Sequence, residues 1–143
     1  MLESLTQGNI EPFGQMLQIF AERVFSYHDL PGYEPESFYH AFVLGLLVNL
    51  DGRYEIKSNR ESGSGRYDIM MAPKKNTDLG IVMEFKRVKP KTKTELSVSA
   101  AKALAQIDKK HYIKDLQQRG VTRVFKIGVA ARGKEVAVEG GVT

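Results

Sequence analysis

A chain of 143 residues with 42% apolar content is long enough for one domain with a real core. It has no Cys, which excludes a thiolate nucleophile, a disulfide framework and a cysteine zinc site. The net charge of +4 and a pI near 9.3 tolerate a polyanionic partner without demanding one, and no apolar run reaches membrane-spanning length. The N-terminus, with Glu3 and Asn9, lacks a charged-then-apolar leader. The expectation is a soluble intracellular protein, cytoplasmic by default.

Residues 1–10 have no clear period and are expected to be a tail or linker, with a single domain over residues 11–143. Glu11 to His28 places Phe13, Leu17, Phe20, Ala21, Val24 and Phe25 at helical spacing. His28-Asp29-Leu30-Pro31-Gly32 then breaks the helix. A second helix is predicted from Pro35 to Leu50; it is apolar nearly all round after Tyr39, which predicts burial against a sheet. Gly52 is its expected stop.

The period then changes from helix to strand. Tyr54, Ile56 and Ser58 alternate with charged neighbours, predicting a half-exposed strand. Ser62-Gly63-Ser64-Gly65 is a hairpin connection, and Arg66 to Ala72 returns as a strand. Leu79 to Arg87 is a third strand, after a loop from Pro73 to Asp78. The following run KRVKPKTK holds five cations between Lys86 and Lys93; it reads either as a solvated loop or as a loop that contacts phosphate. A long helix, capped by Thr92 or Thr94, is predicted to reach about Gln118, with Leu96, Ala100, Ala103, Leu104 and Ile107 as its stripe and Gln106 at the margin. Gly120 stops it. Val121 to Ala131 is a fourth strand and Glu135 to Val138 a short fifth. Strands gathered between helices predict an α/β (α+β) layer fold with a mixed central sheet.

Chemistry concentrates on Asp68, Glu84 and Lys86. Residues two apart on a strand share a face, so Glu84 and Lys86 emerge side by side while Phe85 points away. If the second and third strands pair, Asp68 meets Glu84 across the ladder. Two carboxylates with open positions suit Mg²⁺, and a lysine beside the ion can orient or deprotonate an attacking water. The bland alternative is an ion pair between Asp68 and Lys86. Gly128 to Lys134 matches the GxxxxGK spacing but is a decoy: Glu135 follows where a hydroxyl is needed, and a strand follows where a helix is needed. His28, His40 and His111 form no ligand spacing, and no serine lies in a GxSxG elbow.

Together these pieces resemble the PD-(D/E)xK nuclease superfamily, with its restriction-endonuclease-like αβββαβ core. They are most similar to the nuclease-like domains at the C-terminal end of AAA-ATPase-like proteins. The carrying motifs are Glu36-Ser-Phe38-Tyr39-His40, Ser58 to Ile69, Glu84-Phe85-Lys86, and Ala103 to Tyr112 with Gln106 and Lys110. The superfamily's proline before the aspartate is replaced by Tyr67. The resemblance implies a nuclease that hydrolyses phosphodiester bonds in nucleic acid, DNA before RNA, using Mg²⁺ with Mn²⁺ as a substitute. Asp68 and Glu84 would bind the metal, with the Phe85 carbonyl as third ligand and Glu36 completing the acidic cluster. Lys86 would activate water, and Gln106 would reach the site with Tyr112 and Lys110 in support. Arg60, Ser62 and Arg66 would contact phosphate. It further implies an ATPase-like partner module and a homodimer as candidate assemblies. Two other classes stay open: a catalytically silent nucleic-acid-binding or regulatory module, and a protein-interaction domain whose acidic cluster is structural.

Overall fold

The computed structural model describes residues 2–27, 36–61, 66–89, 91–109 and 111–143; the side chains of residues 25–27, 36, 37, 60 and 61 lie outside the description. Its elements run α1 (Leu2–Gln7), α2 (Ile10–Tyr27), α3 (Glu36–Leu50), β1 (Tyr54–Glu61), β2 (Arg66–Pro73), β3 (Gly80–Arg87), α4 (Leu96–Ile107), α5 (Tyr112–Gln118), β4 (Val124–Arg132) and β5 (Glu135–Val142). The predicted breaker at His28–Gly32 and the Ser62–Gly65 turn fall outside the described residues.

The five strands form one sheet in sequence order. β1, β2 and β3 are antiparallel neighbours, β3 and β4 are parallel, and β4 and β5 are antiparallel. A parallel pair needs a crossover, and α4 and α5 supply it. β2 and β3 are buried on both faces, which is why they read as near-continuous apolar runs. Ile69, Met71, Ile81, Met83, Phe85, Ile127 and Val129 pack against α1–α3, meeting Phe13, Leu17, Phe38, Phe42 and Leu46. Met70, Ala72, Val82 and Val124 point the other way, to Ile107, Leu116 and Val121. The mixed sheet between helical layers is the predicted fold class.

Five local expectations are corrected. Residues 2–7 form a helix rather than an irregular tail, because Leu5 is buried in the core formed with α2 and α3. α3 is buried on one face only: Leu44 and Val48 are 61% and 74% exposed. The helix predicted to run to Gln118 is two helices, parted at residues 108–111. Continuing α4 along its axis would carry Leu116 away from the sheet; the turn lets Leu116 and Val121 cover Met70 and Val82. Glu95, not a threonine, precedes α4, with no side-chain cap hydrogen bond. β5 extends to Val142 instead of stopping at Val138.

Gly120 ends α5 as expected, at φ +90°, a conformation that favours glycine. The Val121 N–H donates to the Leu116 carbonyl and the Gly120 N–H to that of Gln117. Gly128 has a different duty. A Cβ there would strike the backbone of α4 at the Ala100 carbonyl and Leu104 nitrogen, so its bare Cα lets α4 lie directly on β4. This is why the GxxxxGK spacing holds no phosphate loop: its first glycine is a strand residue under a helix.

Candidate active site

β2 and β3 pair with Asp68 opposite Glu84 and Arg66 opposite Lys86. Directly opposed residues share a face, here the one with Met70 and Val82 beneath α4 and α5. Two acids and two cations therefore project together where β2 begins and β3 ends. Phe85 turns into the other layer, against Phe38, Tyr39 and Phe42, and this anchors the strand that presents Glu84 and Lys86.

Both acids are 1% exposed. Neither carboxylate oxygen of Glu84 finds a hydrogen-bond partner among the described residues. Leaving a buried charged group unsatisfied is costly, and the Glu84 carboxyl responds as expected. Its pKa rises to about 7, driven first by burial and then by the negative charge of Asp68, against the pull of Arg66. Burial likewise raises Asp68, while the hydrogen bond from Tyr112 lowers it.

Tyr112 reaches the site because α5 starts afresh after the break. Its hydroxyl donates to Asp68 Oδ1 at 2.7 Å; burial and this bond push its pKa above the ordinary phenol value, with Asn59 pulling the other way. Asn59 is the β1 residue directly opposite Asp68. From the other layer, the Tyr39 hydroxyl donates to the Asp68 carbonyl at 3.1 Å, and the Tyr39 ring stacks on Tyr67 at 4.3 Å. Burial raises Tyr39 to about 12, opposed by its hydrogen bond with Ser58. Two tyrosines thus hold Asp68, one by its side chain and one by its main chain. Tyr67, where the superfamily has proline, provides the stacking surface.

The expected site residues are distributed as follows. Asp68, Glu84, Lys86, Arg66 and Tyr112 come together. Lys86 is half-buried, and no ion pair engages it among the described residues. Gln106 is half-buried on α4. Helical geometry sets it on the flank opposite Ala101, Ala105 and Asp108, which line a groove beside β5, and so on the side toward β3. The side chains of Glu36 and Arg60, and Ser62 and Lys110 altogether, lie outside the described residues. Sequence reasoning passed over Tyr39 and Asn59 as individual site residues, though both stand inside the quoted motifs. Asn59 is placed by the β1–β2 register and Tyr39 by the packing of α3 on the sheet, and no spacing reveals either. His40 is exposed, its ring against Tyr39.

The two carboxylates offer hard oxygen donors in register, and Glu84 has both oxygens uncommitted, so the residues fit a divalent ion such as Mg²⁺ or Mn²⁺. No third His, Cys, Asp or Glu among the described residues joins them. A mixed five-stranded sheet flanked by helices, with a D…ExK set on its second and third strands, defines a restriction-endonuclease-like protein. The family model of the PD-(D/E)XK nuclease superfamily matches residues 34–140, and the chain belongs to that superfamily. No curated protein matches it.

Proposed function

We propose that the protein is a divalent-metal-dependent nuclease that hydrolyses phosphodiester bonds, with DNA as the preferred substrate. The observation that carries this reading is the pairing of Asp68 with Glu84: two buried carboxylates in register, one with both oxygens uncommitted. A divalent ion bound there supplies Lewis-acid stabilisation of charge on the phosphoryl oxygens. Asp68 and Glu84 hold it, with the Phe85 carbonyl and Glu36 as the further donors that the motifs suggest. Tyr112 keeps Asp68 oriented toward Glu84. The Lys86 ammonium, on the same face as Glu84, orients the attacking water by donating a hydrogen bond to its oxygen and offsets charge on the phosphoryl oxygens. Arg66, directly opposite Lys86, offsets negative charge on a bound phosphate. Gln106, Arg60, Ser62 and Lys110 are assigned supporting contacts by the motifs alone, and the same motifs support an ATPase-like partner module.

The test is cleavage of single-stranded, duplex and branched DNA and of RNA, with Mg²⁺ or Mn²⁺ and with EDTA. Asp68→Ala, Glu84→Ala and Lys86→Ala are each expected to abolish metal-dependent cleavage. Full activity in all three variants would remove the proposal. Salt-sensitive binding without turnover in either metal would favour a silent binding module.

A further inference from the structure

The positive charge of the chain is not spread evenly. Between Lys86 and Lys93 stand five cations and no acid, and without them the remaining residues carry 16 Lys and Arg against 17 Asp and Glu. The net excess of +4 therefore resides in eight residues that leave the strand bearing Glu84. Lys86 is half-buried, whereas Arg87, Lys89, Lys91 and Lys93 are exposed. No ion pair engages any of the five among the described residues.

A free loop with this charge would be expected to be solvated, but this one is tied down. Val88 and Leu96, at its two ends, are buried in one cluster with Ala100 and Ala130. The Val88 N–H donates to the Ala131 carbonyl at 2.8 Å. Arg132 Nη1 donates to the carbonyls of both Thr92 and Thr94 at 3.0 Å, and its Nη2 pairs with Glu135 at 3.0 Å. The Arg132 charge is thereby matched by Glu135, and the residue acts as a tie on the loop. A turn closed by Thr92 N–H to the Lys89 carbonyl, at 3.0 Å, bends the middle. The lysines stand on a held backbone, so less conformational entropy is lost when they meet a ligand.

We propose that Arg87, Lys89, Lys91 and Lys93 form a ledge that seats the phosphate backbone of the nucleic-acid strand entering the site. The inference rests on the nuclease reading and adds where the substrate lies. At about 3.3 Å per residue, Lys89 stands at most about 17 Å from Glu84. That is about five nucleotide rises of 3.4 Å along one strand, so a strand held at Asp68 and Glu84 that runs in this direction passes over the ledge.

The experiment is binding of labelled single-stranded and duplex DNA in EDTA, measured by fluorescence anisotropy across a salt series. The ledge variant is Lys89→Ala/Lys91→Ala/Lys93→Ala. A charge-matched control, Lys74→Ala/Lys75→Ala/Arg123→Ala, removes cations at the opposite end of β3. The slope of log affinity against log salt is expected to fall by about 2 to 3 in the ledge variant, at 0.7–0.9 per lost phosphate contact, and to change far less in the control. Arg132→Ala, which keeps every ledge lysine, is expected to weaken binding several-fold by releasing the loop. With Mg²⁺, the ledge variant should raise KM for cleavage and leave kcat unchanged. Equal slopes in the ledge and control variants would overturn the ledge while leaving the nuclease reading intact. A wild-type protein that neither binds nor cleaves nucleic acid would overturn both. Binding of poly-glutamate in place of DNA, lost in the ledge variant, would overturn it in favour of an acidic protein partner.

Discussion

Replacing Glu84 by glutamine should stabilise the metal-free protein at alkaline pH while removing its proposed metal site. The Glu84 carboxyl has a pKa of about 7 in the fold, against an ordinary value of 4.5. Between those values the native state binds a proton that the unfolded chain has lost, so the contribution of Glu84 to stability falls as pH rises through this window. At 1.36 kcal/mol per pKa unit, the cost is almost fully developed by pH 8 and mostly absent at pH 5. The difference between the two pH values is about 2.5 kcal/mol, as an order-of-magnitude figure. Glutamine is nearly isosteric with the protonated acid and does not titrate. Any penalty for its unpartnered amide is the same at both pH values and cancels in the comparison. In EDTA, Glu84→Gln should therefore gain about 2.5 kcal/mol relative to wild type on going from pH 5 to pH 8. For a chain of this size that is a relative rise in Tm of about 8 °C. The assay is thermal or urea unfolding of both proteins at a series of pH values. Parallel profiles would refute the reasoning, because they would mean that Glu84 is solvated or paired in the native state.

Other outcomes follow from the same geometry. Tyr112→Phe removes the donor to Asp68 Oδ1 and should weaken Mn²⁺ binding by about 10- to 100-fold in calorimetry; wild-type affinity would show that the hydroxyl has no part in positioning Asp68. Gly128→Ala places a methyl group into the Ala100 carbonyl and should cost about 1–3 kcal/mol in urea unfolding, since α4 must shift off β4. Leu5→Ala should cost about 2–5 kcal/mol by the same measurement if α1 belongs to the core; a change near zero would restore residues 2–7 to a loosely held tail.

Much of the site was legible from local pattern. The two-residue period of a strand alone puts Glu84 and Lys86 on one face and Phe85 on the other, and the Gly-rich turn ahead of Arg66 suggests that two strands meet near Asp68. Tyr112 was legible only as a motif position. The stretch from Glu95 to Arg119 contains neither Gly nor Pro, and its one local sign of a break is a change of phase: on a continuous helix Tyr112, Ile113 and Leu116 would fall on the face opposite Leu96, Ala100, Ala103 and Ile107. The break forms because Leu116 and Val121 gain burial against Met70 and Val82, a non-local reward that periodicity does not register. Leu2–Gln7 escaped for a related reason: six residues are too few to display a period, and only the buried position of Leu5 makes them part of the fold.

By itself, the order of residues determined the αβββαβ succession, the candidate acids and lysine, and the absence of cysteine chemistry, because strand and helix periods and residue types are properties of short segments. Tertiary structure alone decided that Asn59, Asp68 and Glu84 stand abreast, that Tyr39 and Tyr112 grip Asp68 from opposite layers, and that Arg132 ties down the basic loop. Each of these joins residues distant along the chain. Their meeting depends on register and on which apolar surfaces are buried together, and both are set by the packing of the whole sheet.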